Sequence, residues 1–217
     1  FKTQQLALPL EEATARSQEE DLFRRVLQEA GIDQPHPAID NVMHQSVLLL
    51  DHAIRSRQPS FGHAFQPLLA PFDEYALRIL DQYIKPHIPA KSDKRDAFFN
   101  PNLNHLSNRQ KNLFQKNQRY LRNNLEYGRS IQRLGTLLFC LGYAQQGDWQ
   151  ADGVWQVAAD TLSAPEFAKL YQCLCKVNEF RNTRVAHVEQ PLTDEAEAWG
   201  MIRTWLACLN SMARIIA

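Results

Sequence analysis

Glycine is scarce, with eight residues in a chain of 217. Asn-Gly turn pairs are missing, and few segments alternate apolar with polar residues. Those absences argue against hairpin-built sheets. No charge of either sign is in excess: 24 basic and 24 acidic side chains leave a formal net charge of zero. No global field therefore draws the chain to nucleic acid or membrane, and any such binding must come from a local patch. No apolar run approaches the roughly 18 residues of a membrane span, and the first residues do not read as a signal peptide. A phosphate-binding P-loop, a Gly-rich dinucleotide fingerprint and a Gly-x-Ser-x-Gly elbow are all absent. The four cysteines (Cys140, Cys173, Cys175 and Cys208) form no Cys-x-x-Cys. On a helix, Cys173 and Cys175 point roughly 200° apart and cannot clamp one metal. They read as reduced thiols of a cytoplasmic protein.

What is present is helical. Apolar residues make up 44% of the chain, enough for a real core in one large domain or in a compact domain with an arm. The chain opens on Phe1 rather than Met, which reads as a piece of something longer. Apolar spacing predicts a first helix over about 10–30, with Leu22, Phe23, Val26 and Leu27 on one side and Gly31 as its stop. A second is expected over 37–57 and a third over 72–86, ended by Pro86 and Pro89. Residues 87–107 read as a loop, followed by a long helix over 108–144 and a short one over 153–161.

Ser163 and Glu166 have capping-box spacing and should start a helix through Val177. Gln190-Pro191 breaks it, and Thr193 is expected to cap a last helix carrying Trp199, Ile202, Trp205 and Leu209. The fold class is thus an all-α bundle of about five to seven helices. Residues 1–107 form its N-terminal part and 108–217 the part with the most distinctive sequence, as two parts or as one continuous domain.

That distinctive stretch is Val177-Asn-Glu-Phe-Arg-Asn-Thr-Arg-Val-Ala-His-Val188. On an ideal helix Arg181, Arg184 and His187 form a slanted stripe spanning roughly 120° of the surface. Val177, Phe180 and Val185 would anchor the other side. Two cations and a histidine near a helix C-terminus also suit the negative end of its dipole, with no further role.

The pattern resembles the signature of the HEPN superfamily (higher eukaryotes and prokaryotes nucleotide-binding domain). In that family an Arg followed by a polar residue, very often Asn, precedes a His by four to six intervening residues. Here Arg181 is followed by Asn182, and five residues separate Arg181 from His187. The amphipathic helix before the motif, and the Trp-rich helix after a polar break, resemble the last two helices of such a domain over about 164–217.

The resemblance implies a metal-independent endoribonuclease of the toxin or antiviral-defence kind, with no cofactor. The RNA 2′-hydroxyl would attack the neighbouring phosphorus, leaving a 2′,3′-cyclic phosphate. It implies His187 as general acid/base, Arg181 as phosphate clamp, Asn182 as their support and Arg184 as a secondary phosphate contact. The residue types suit the chemistry: histidine exchanges protons near neutrality, and arginine grips phosphate with paired N–H bonds. It also implies a homodimer, since two copies of the motif usually meet across a two-fold axis, and as further partner an antitoxin or a sensor domain in a longer chain. Some toxins of the family carry a Tyr three residues after the His; here that position is Gln190.

Residues 109–133 are rich in Arg and Lys with Glu126 as the one acid; Arg119, Arg122, Arg129 and Arg133 would track an RNA backbone from one helical face, or simply be a solvated face. Asp40, His44, Asp51 and His52 lack a convincing third metal ligand, so a metal-dependent hydrolase is the weaker reading. Tyr171, Trp199 and Trp205 would stack bases, but their spacing favours core or interface. A non-catalytic helical module, binding RNA, nucleotide or protein without cutting, is the main alternative to the nuclease.

Overall fold

The computed structural model describes residues 4–104, 106–129, 131–146, 152–185 and 191–217. Among these the chain is all-helical and contains no strand. In chain order the α-helices are α1 (Gln4–Glu29), α2 (Asp40–Arg55), α3 (Gln66–Tyr83), α4 (Ser92–Phe99), α5 (Asn108–Leu125), α6 (Arg133–Gln146), α7 (Val154–Thr161), α8 (Pro165–Phe180) and α9 (Glu195–Ile215). Tight 3-10 turns occupy Gly62–Phe65 and Lys85–His87, and a wider π-helical turn follows α8 over Arg181–Val185.

The described helices outnumber the expected five to seven because two stretches differ from the expectation. Residues 87–107 are not a plain loop. They hold α4, whose side chains Phe98 and Phe99 are buried and packed edge-to-face at 5.1 Å. Two adjacent phenylalanines on a single two-turn helix give no period to detect. The expected helix over 108–144 is two helices. A capping box starts the first: Ser107 Oγ accepts from the Gln110 N–H at 3.4 Å, and Gln110 Oε1 accepts from the Ser107 N–H at 2.9 Å. The chain leaves it through Gly128, at φ +63°, where the Arg129 N–H turns back to the Asn123 carbonyl at 2.8 Å. Leucines on both sides of the break are buried, so the apolar pattern runs across it unbroken.

Buried Asn124 holds that turn shut. Its Nδ2 donates to the Ile131 carbonyl at 2.8 Å, and its Oδ1 accepts from the Ile131 N–H at 3.1 Å. Asn124→Ala should cost about 2 kcal/mol, because it leaves two backbone groups without their partner. Urea unfolding of the two proteins checks this; an unchanged midpoint would show that water replaces the amide.

Two further boundaries differ. α3 begins at Gln66 rather than near 72, with Pro71 inside it. The N-cap of α9 is Asp194 rather than Thr193, for Asp194 Oδ1 accepts from the Glu197 N–H at 2.6 Å.

The chain divides into two compact units, and neither is continuous. The first takes residues through Leu68 together with Arg181–Asn210; the second takes Leu69–Phe180 together with Ser211–Ala217. The boundary expected at 107 falls inside the second unit. In the first unit, Phe23 and Val26 of α1, Met43, Val47 and Leu50 of α2, Phe65, and Ile202, Trp205 and Leu206 of α9 are buried. The Phe65 and Trp205 rings meet edge-on at 5.1 Å.

In the second unit α6 is central and packs on α5, α7 and α8. Phe114, Phe139, Tyr143 and Trp155 form an aromatic cluster there, with ring centroids 5.0–5.7 Å apart. The four cysteines are free thiols; Cys140 and Cys208 are buried, and burial pushes the Cys140 thiol far up from its ordinary value. No helix is long and apolar enough to cross a membrane among the described residues.

Candidate nucleic-acid site

The segment that carries Arg181 is delivered by α8. Phe167, Leu170, Leu174, Val177 and Phe180 recur at three- and four-residue steps along it and are buried. From Arg181 the hydrogen-bonding pattern widens to i→i+5 for one turn, through Val185. The 100° step of the α-helix thus ends at Phe180, and Arg181 and Arg184 both lie in the wider turn. Asn182 and Thr183 are exposed, Arg181 and Arg184 are half-buried, and Val185 is buried. His187 and Gln190 lie outside the described residues.

Two contacts brace this turn within the first unit. The Arg184 carbonyl lies against Gly62, where an added Cβ would approach it to 3.1 Å. The neighbouring Phe61 N–H donates to the Leu192 carbonyl at 2.8 Å, tying the 3-10 turn to the segment before α9. Arg184 reaches Glu197 of α9 at 3.5 Å, with the two side chains 28% and 39% exposed. At that length and exposure the pair orients the guanidinium more than it stabilises the fold.

Gly62→Ala sets two effects against each other. Alanine gains about 0.5–1 kcal/mol from backbone propensity, while crowding a packed site costs about 1–3 kcal/mol. The atom it meets is backbone and does not swing aside, so a net loss of about 1 kcal/mol is expected, measured by urea unfolding.

The basic residues of 109–133 do not share one helical face. Arg119 is exposed on α5. Arg122 is committed within the protein. Its Nε donates to Glu126 at 2.6 Å and its Nη2 to Asp96 of α4 at 2.6 Å, and its guanidinium lies 5.7 Å from the Phe99 ring centroid and 5.6 Å from that of Tyr127. The hydrogen bond to Glu126 raises its already high pKa further. Arg129 is exposed in the turn between α5 and α6, over the Tyr127 ring at 5.7 Å. Arg133 opens α6 and is half-buried, with its Nε enclosed and lacking a hydrogen-bond partner. Arg119 and Arg129 are thus the two of the four placed at the surface. Asp96, the acid that ties down Arg122, sits 26 positions earlier in the chain, and no local spacing marks it.

The remaining candidates separate as well. Among the second-helix residues, His44 stacks on Phe23 at 4.6 Å, and Asp51 pairs with Arg55 at 2.9 Å. No group of three His, Cys, Asp or Glu able to hold a metal occurs among the described residues. Of the three aromatics, Tyr171 belongs to the second unit, where it packs over Gly142. Trp199 and Trp205 belong to the first, Trp205 fully buried and Trp199 half-buried. No family model, curated protein or solved structure matches the chain.

Proposed function

We propose that the protein is a metal-independent endoribonuclease of the HEPN type, with a C-terminal half of that fold. It would act as a homodimer in a toxin or antiviral-defence setting and cut RNA through a 2′,3′-cyclic phosphate. Arg181 clamps the scissile phosphate, His187 moves the proton, Asn182 supports them, and Arg184 makes a secondary contact; the exposed Arg119 and Arg129 are the surface cations available to hold RNA. The observation that carries this reading is the π-helical turn at the Arg-Asn pair. Single π-helical turns are frequent at functional sites, and here the irregular turn begins at Arg181 and includes the exposed Asn182.

Catalysis by these groups needs no metal, because arginine offsets the negative charge that builds on the phosphoryl oxygens and histidine carries the proton transfer. Purified protein incubated with total RNA and with tRNA in EDTA should give products with cyclic-phosphate ends. Intact RNA under those conditions, from folded protein, would leave the non-catalytic module instead. That second reading draws on the Arg184–Glu197 pair, which gives one of the motif cations an internal role.

A further inference from the structure

Trp199, whose spacing favours core or interface, is half-buried and lines a groove of the first unit. Leu22, Arg25, Val26 and Glu29 recur on one face of α1 and form one wall. Asp51 comes from α2, and Trp199 and Arg203, one helical turn apart, come from α9. The volume is about 360 Å³, which is within the range of small-ligand sites, roughly 300–1,000 Å³.

The charges in the groove are mostly matched. Arg203 Nη1 donates to Glu29, and Asp51 is held by Arg55. Arg25 is exposed and left as the cation that neither carboxylate neutralises. Among the described residues the groove therefore offers the indole of Trp199, an apolar wall of Leu22 and Val26, the guanidinium of Arg25, and carboxylate oxygens that accept hydrogen bonds from hydroxyl or amino groups. Those groups together match one nucleotide: a flat base, a ribose and a single phosphate. The two carboxylates disfavour a chain of phosphates.

We infer that this groove binds a nucleoside monophosphate unit, with its base stacked on Trp199 and its phosphate on Arg25. The inference goes beyond RNA cleavage and uses none of the motif residues. The unit is either a free nucleotide or one residue of an RNA strand, since both present the same chemistry.

Titration with AMP, and separately with a 2′-O-methyl trinucleotide that resists cleavage, distinguishes the sources. Binding is read by calorimetry and by quenching of tryptophan fluorescence. The chain has four tryptophans, so the quenching is assigned by substitution: the part that disappears in Trp199→Phe reports Trp199. Arg25→Ala and Trp199→Ala should each weaken binding by about tenfold or more, as loss of a charged phosphate contact or of base stacking does. Trp199→Phe should retain most of the heat. His187→Ala should bind like the wild type, so that failure of cleavage leaves this result standing. Inorganic phosphate alone should not compete at the same concentration.

Binding of AMP assigns the groove to a free nucleotide, and binding of the trinucleotide alone assigns it to a strand. Absence of heat and quenching with both at millimolar concentration overturns the inference. So does binding that Arg25→Ala and Trp199→Ala leave unchanged in folded protein.

Discussion

His187→Ala should lower RNA cleavage in EDTA by about 10²–10⁴-fold, the usual contribution of a positioned acid or base. Far-UV circular dichroism and the urea midpoint should stay those of the wild type. Arg181→Ala should lower cleavage by a comparable factor, and Arg181→Lys should recover little of it. Lysine keeps the charge but loses the planar fork that holds two phosphate oxygens at once. The pair of arginine variants separates chemistry from architecture. Were Arg181 only a structural cation at the end of α8, alanine would shift the urea midpoint and lysine would restore it, whatever happened to RNA. If the wild type cuts RNA and His187→Ala cuts it equally well, the assignment of His187 fails and the resemblance to a HEPN nuclease loses its catalytic content. Loss of wild-type cleavage on chelation would point to metal chemistry instead.

Phe114→Ala should destabilise the protein by about 3–5 kcal/mol, the range for deleting a fully buried phenyl ring. Phe114 has no exposed surface and meets Phe139, Tyr143 and Trp155 edge-on at centroid distances of 5.0–5.6 Å. Removing it takes away the burial energy and the aromatic contacts together. The rings around it belong to α6 and α7, whose own packing limits how far they can collapse into the space. Urea unfolding followed by near-UV circular dichroism measures the loss, and Phe114→Leu should recover about half of it by refilling volume without the ring geometry. A loss below about 1 kcal/mol would mean that the cluster repacks freely and that this part of the second unit is softer than its burial indicates.

The helical class and most helix positions were legible because amphipathic spacing is a local property. α8 is the clearest case: five buried side chains at three- and four-residue steps define both its extent and its inward face. Legibility failed where the decisive partner is distant or where the period is absent. The break after Leu125 depends on Gly128 and on an asparagine that reaches forward to Ile131. The leucine pattern on either side ignores it, because both helices face the same core. Arg122 looked like a surface cation only because Asp96 and Phe99 of α4 stand on a helix that carries no periodic signal. Spacing on a helix shared with Trp205 leaves core and interface open for Trp199, and its partial exposure depends on what α1 and α2 place beside it.

By itself the sequence determined an all-helical protein, the amphipathic approach to Arg181, and the residue types available for phosphate and proton chemistry. These follow from near-neighbour steric and hydrophobic preferences that act within a few residues. Tertiary structure alone decided that N-terminal helices join Arg181–Asn210 in one unit, that the turn at the motif is π-helical and braced by Gly62, and which arginines are spent on internal acids. Those outcomes depend on groups brought together from far along the chain, where packing and charge pairing outweigh local preference.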